Sequence, residues 1–170
     1  MTGRRWLGLD AGAANWLWLT VLVVALDQYT KWLVLQHLDE FESVYLLPLL
    51  DFMRLHNEGA AFSFLSDASG WQRWLFVGLG LAVSIGILFW IRRLPPRGRH
   101  LLAAGLAMIM GGALGNVIDR VRFGYVVDFI RVHYESWYFP AFNVADSAIS
   151  IGAGMLILDS LLDFGRNEQR

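Results

Sequence analysis

Four stretches of this 170-residue chain, roughly 15–37, 71–91, 100–118 and 141–162, are apolar over about twenty residues. That is the length an α-helix needs to cross about 30 Å of hydrocarbon. Inside lipid every backbone N–H and C=O must be paired within the protein, so such stretches have few choices besides helices. Composition agrees: 56% of the residues are hydrophobic and 17% charged, against about 25% charged in an ordinary soluble domain. The chain is therefore expected to be a membrane α-helical protein with one domain, 1–170, and outer loops at 38–70 and 119–140.

The basic residues give an orientation. Arg4, Arg5, Arg92, Arg93, Arg97, Arg99, Arg166 and Arg170 fall on one side, eight in all, and Arg54, Arg73, Arg120, Arg122 and Arg131 on the other. The eight lie in short tails and one short loop, which puts both termini in the cytoplasm. Arg4 and Arg5 before the run Trp16–Leu26, with Val23 and Ala25 as a small-residue pair, also have the form of a cleavable leader. Because further long apolar runs follow, the segment reads as a retained anchor helix. In the outer loops, Phe52–His56 and Tyr125–Val132 are rich in β-formers and flanked by glycine or charged residues, the pattern of short strands or hairpins. Trp71, Trp74, Trp137 and Tyr138 stand where an interfacial aromatic belt would lie.

Several chemistries are disfavoured. The chain has no cysteine, which removes disulfides, thiolate metal sites and a cysteine nucleophile. His37, His56, His100 and His133 are scattered without a ligand pair, so neither a metal nor a cofactor is expected. Basic and acidic residues number 14 and 15, leaving no electrostatic footprint for a nucleic acid.

Ionisable residues within apolar spans cost about 2.5–3.5 kcal/mol each on insertion scales and mark functional sites by default. Asp27 and Lys31 are four apart on one helix face, where they can pair. A structural or snorkelling ion pair is the plainer reading. The third span ends in Gly111-Gly112-Ala113-Leu114-Gly115-Asn116-Val117-Ile118-Asp119-Arg120. Its small-xxx-small pair, Gly111 and Gly115, suits close helix packing, with Gly112 on the polar side. Asn116, Asp119 and Arg120 share one side of the last turn and are expected to satisfy one another as a supporting network. At the start of the fourth span Asn143 is a good helix cap, and Asp146 completes a variant capping box. Capping alone is one account of Asp146, and a solvent-facing place on an alternating strand one account of Asp128. Held together, the two acids instead suit general acid–base hydrolysis of an amide: two close carboxylates share a proton, so one can take a proton from water while the other serves the carbonyl oxygen. The positive end of the fourth helix favours negative charge at Asp146, which would leave Asp128, in its apolar strand, as the member that more often holds the proton.

Five blocks in order resemble the bacterial lipoprotein signal peptidases (signal peptidase II): Asp27-Gln28-Tyr29-Thr30-Lys31; Asn57-Glu58-Gly59-Ala60-Ala61-Phe62-Ser63; Gly115-Asn116-Val117-Ile118-Asp119-Arg120; Val126-Val127-Asp128-Phe129; and Phe142-Asn143-Val144-Ala145-Asp146-Ser147. The resemblance implies four transmembrane helices with a small extracytoplasmic β-sheet, built from the two outer loops and cradling the substrate around 52–64. It implies an aspartic endopeptidase of the inner membrane that cuts a diacylglyceryl-modified prolipoprotein just before its lipidated cysteine. Asp128 and Asp146 would be catalytic, near the periplasmic face. Asp27, Lys31, Asn57, Gly59, Asn116, Asp119, Arg120, Asn143 and Ala145 would bind substrate or support the site. Membrane lipid is an expected partner, and the enzyme is expected to act as a monomer. A proton-coupled transporter would carry repeated halves with broken helices, and none is visible. A non-catalytic lipid- or peptide-binding protein using the same groove is the main alternative. A serine or zinc intramembrane protease would need a G-x-S-x-G or H-E-x-x-H motif, which the chain lacks.

Overall fold

The computed structural model describes residues 13–59 and 70–168, with side chains to 165. Arg4, Arg5, Arg170, the side chain of Arg166 and the stretch Ala60–Ser63 therefore lie outside what is described. Helix α1 spans Leu17–His37, preceded by a 3-10 turn at Ala14–Trp16; α2 spans Trp71–Arg93, α3 His100–Phe123 and α4 Val144–Glu168. All four are long and apolar enough to cross a membrane. Between α1 and α2 lie β1 (Ser43–Leu47) and β2 (Leu50–Asn57); between α3 and α4 lie β3 (Val126–Tyr134) and β4 (Trp137–Tyr138). They form one antiparallel sheet in the order β1-β2-β3-β4. Both outer loops thus contribute to it, as expected.

Two boundaries differ from the sequence reading. Helix α3 runs five residues past 118, because its last turn finds partners for Asp119 and Arg120 and its stop comes only at Gly124. That glycine takes φ +94°, and its N–H closes on Arg120 O at 3.1 Å. This is the left-handed conformation glycine adopts most readily after a helix. Helix α4 begins at Val144 rather than 141, since Pro140–Phe142 continue the extended chain and Phe142 pairs with Ile130 of β3. Strand β1 was not foreseen. It pairs back on β2 around a turn at Pro48–Leu49, and proline's fixed φ suits such a corner.

Helix α3 is the axis of the fold. Of its apolar stretch 61% is buried, against 11–28% in the other three, and it contacts each of them. The glycines set those distances. A Cβ on Gly111 would stand 2.7 Å from Val23 Cβ, and one on Gly115 would stand 2.5 Å from Asp27 Oδ2, both on α1. A Cβ on Gly112 would stand 2.3 Å from Ala145 O on α4. In lipid, helices associate through such close packing and a few hydrogen bonds, here including Thr20 Oγ1 to Ala107 O at 2.9 Å. Because Ala145 O is backbone and cannot swing aside, Gly112→Ala is expected to push the first turn of α4 away from α3. Overpacking of this kind costs about 1–3 kcal/mol. Thermal unfolding in detergent should show the loss as a lower midpoint.

Candidate active site

Chain order scatters the polar residues of the sequence reading, and the fold gathers them where the C-terminal end of α3 meets β3 and the start of α4. Asn143 links the two acids. Its side-chain oxygen accepts the Asp146 N–H at 3.0 Å, while Asp146 Oδ2 accepts the Asn143 N–H at 3.2 Å, a reciprocal capping box. Asn143 Nδ2 then donates to Asp128 Oδ1 at 2.7 Å. Asp146 Oδ1 accepts from Asn116 Nδ2 at 2.8 Å, and Asp128 Oδ2 from Asn57 Nδ2 at 2.9 Å. Capping therefore accounts for only one oxygen of Asp146. Asp128 is not a solvent-facing strand residue: it is 4% exposed. Burial raises its pKa to about 7, the nearby Asp146 charge adds to the rise, and the Asn57 and Asn143 hydrogen bonds oppose it.

Beneath this pair lies a buried cation. Lys31 Nζ sits 2.9 Å from Asp27 Oδ2, 2.9 Å from Asp119 Oδ2 and 3.0 Å from Asn116 Oδ1. Both carboxylates have a second task. Asp27 Oδ1 accepts the N–H of Ala145 at 2.9 Å, and Asp119 Oδ2 accepts the N–H of Val127 at 3.1 Å. Those amides immediately precede Asp146 and Asp128. One ammonium thus anchors, through two carboxylates, the backbone just ahead of both acids.

The sequence reading had Asn116, Asp119 and Arg120 satisfying one another. Apart from a 3.4 Å bond from Arg120 Nη1 to the Asn116 carbonyl, they reach to other elements: Asn116 to Lys31, Asp146 and Asn143; Asp119 to Lys31, Gln28 and Val127; Arg120 to Gly59. The reason is their distance from α1, β3 and α4, which the close glycine contacts bring within side-chain reach. Arg120 Nη2 donates to Gly59 O at 2.7 Å, and Gly59 N–H donates to Asn57 Oδ1 at 3.0 Å. Gln28 was assigned no role from sequence, yet its Nε2 meets Asp119 Oδ1 at 2.8 Å and lies 3.2 Å from Asp27 Oδ2. Its place between Asp27 and Lys31 in one block was the available signal.

A groove of about 980 Å³ opens over these residues. Asn57, Asn116, Arg120, Asp128 and Asp146 line its polar part, and Phe139, Phe142, Ile149 and Ile151 give it apolar walls. Four carboxyls (Asp27, Asp119, Asp128, Asp146) face two cations (Lys31, Arg120) here. That surplus of negative charge is in keeping with the raised pKa of Asp128. Such a site offers two carboxyls, one of them able to hold a proton near neutral pH, and several amide and guanidinium donors beside a groove with an apolar wall.

The family model described as Signal peptidase (SPase) II matches residues 19–162. The chain belongs to the signal peptidase II family. Among similar members, the lipoprotein signal peptidase of Acinetobacter baylyi is 53% identical over 145 residues, 85% of this chain and 80% of that protein. The one from Pseudomonas aeruginosa is 51% identical over 150 residues, 87% and 88% of the two chains. Two solved structures share the fold, each described as a bacterial membrane enzyme. One, at 2.3 Å resolution, matches with a TM-score of 0.79 and 28% identity over 92% of this chain and 93% of the other. The second, at 1.9 Å, gives 0.73 and 27% over 95% and 98%. As a signal peptidase II the protein is a membrane peptidase, and its four apolar helices are those of a multi-pass protein.

Proposed function

We propose that this peptidase is an aspartic enzyme of the bacterial inner membrane. It removes signal peptides from diacylglyceryl-modified prolipoproteins by cutting just before the lipidated cysteine. The observation that carries the mechanism is the bridge of Asn143 between Asp128 and Asp146 in a groove at the ends of the apolar helices. Asp146 takes a proton from water, whose oxygen attacks the scissile carbonyl carbon, while Asp128 gives its proton to the carbonyl oxygen. The resulting diol collapses as Asp128 recovers a proton from one hydroxyl and Asp146 protonates the departing cysteine nitrogen. The peptide bond breaks, and both acids regain their starting state. Asn57, Asn116 and Arg120 supply donors for substrate carbonyls.

A signal helix and two acyl chains are apolar, so the substrate reaches the site through lipid. The scissile bond then lies at the outer interface, where water is available. This places the sheet and both acids on the periplasmic side and both termini in the cytoplasm, with the monomer sufficient for catalysis. A gel-shift assay with purified enzyme and a diacylglyceryl-modified precursor tests the substrate. The lipidated precursor should shorten, and the unlipidated one should persist or be cut far more slowly. Equal rates on both would exclude the lipid-dependent reading.

The pH dependence has a defined sign. Asp128 must be protonated to act, so on the alkaline side kcat/KM falls tenfold per pH unit above about 7. Asn57 donates to the ionised carboxylate and so holds that pKa down. Asn57→Ala should therefore move the alkaline limb upward while lowering the maximum rate. A limb that stays in place or moves down would exclude Asp128 as its source.

A further inference from the structure

Arg120 is an unusual cation. It is 8% exposed at the edge of the groove, and its Nε is buried without a hydrogen-bond partner among the described residues. Three contacts hold the guanidinium, one of them a hydrogen bond from Nη1 to Asn116 O at 3.4 Å. Nη2 meets Gly59 O at 2.7 Å, and Cζ lies 4.9 Å from the centroid of the Phe76 ring on α2. A guanidinium over an aromatic face is attracted by the ring quadrupole, more strongly when water is excluded. No residue of α2 lines the groove among those described, and the contact with Arg120 links Phe76 to the site.

From Arg120 the contacts continue without a gap. Gly59 accepts from Arg120 through its carbonyl and donates through its N–H to Asn57 Oδ1 at 3.0 Å. Asn57 donates from Nδ2 to Asp128 Oδ2 at 2.9 Å. We infer that Phe76 is a positioning residue: its ring face fixes the Arg120 guanidinium, and through Gly59 and Asn57 it sets the hydrogen bond made to Asp128. The inference rests on the proposed role of Asp128. It also gives α2 a function beyond spanning the membrane, since packing alone would require an apolar side chain at 76 and not an aromatic one.

The test separates ring electronics from ring size. Phenylalanines with one to five fluorines, placed at 76 in the full-length enzyme, keep nearly the same volume while draining the ring face of negative charge. kcat/KM on the lipidated precursor should fall stepwise, by roughly tenfold at five fluorines, the scale of a desolvated cation–π contact. The thermal midpoint should stay near that of the unmodified enzyme. The alkaline limb of the pH profile should move upward along the series, as Asn57 loses its hold on Asp128. Phe76→Leu should behave like the most fluorinated ring. A flat series, or a fall with a fixed alkaline limb, overturns the inference. If the unmodified enzyme leaves the lipidated precursor intact, the proposed function fails and takes this inference with it, a result distinct from a flat series on an active enzyme.

Discussion

Asp128→Asn and Asp146→Asn should each reduce turnover of the lipidated precursor by at least about a thousandfold, and combining them should cost little more. General acid–base groups contribute about 10²–10⁴ each, and members of one catalytic unit are strongly non-additive. Asparagine keeps the shape of either side chain but can neither take a proton from water nor return one to the leaving nitrogen. Folding should survive both changes. An asparagine at either position can keep its side-chain oxygen facing the present donor, Asn143 Nδ2 at 128 and Asn116 Nδ2 at 146. Steady-state rates for the two single variants and the double variant check this. Rates that multiply in the double variant would mean that the acids act separately.

Lys31→Met should be the most damaging change outside the pair. Lys31 is 2% exposed, with carboxylates of Asp27 and Asp119 each 2.9 Å away and both fully buried. Removing one partner of a buried ion cluster typically costs about 3–5 kcal/mol, because the remaining charges are left uncompensated in a poor solvent. Here the loss propagates. Asp27 and Asp119 hold the Ala145 and Val127 amides, so their repulsion would loosen the backbone ahead of Asp146 and Asp128 together. The variant should show a sharply lower midpoint in detergent and little activity. The triple variant Asp27→Asn, Lys31→Met, Asp119→Asn should regain part of the stability by removing the stranded charges. A Lys31→Met protein as stable as the original would show that the cluster does not hold the site together.

The helices were legible because crossing lipid demands length and apolarity, and both are countable in a sequence. The sheet was half legible. β2 and β3 announce themselves by β-forming residues, whereas β1 is fully exposed and carries no alternation that a burial pattern could reveal. Pairing was legible only within an element. Asp27 and Lys31, four apart on α1, were expected to meet and do. That Lys31 also meets Asp119 depends on which faces of α1 and α3 approach, and Gly111 and Gly115 decide that in three dimensions. The same holds for Asp128. Strand alternation cannot say which face is covered, and the covering comes from Asn57 and Asn143, 71 and 15 residues away in the chain. Phe76 gave no signal at all, being one apolar residue among many on α2.

In the proposed mechanism Asp128 and Asp146 perform the chemistry rather than merely shape a binding groove. Binding and cleavage of one diacylglyceryl-modified precursor, measured in the same samples for the original enzyme and the two asparagine variants, test it most directly. All three proteins should bind equally, and the original alone should cleave. Cleavage at an undiminished rate by either variant would contradict it.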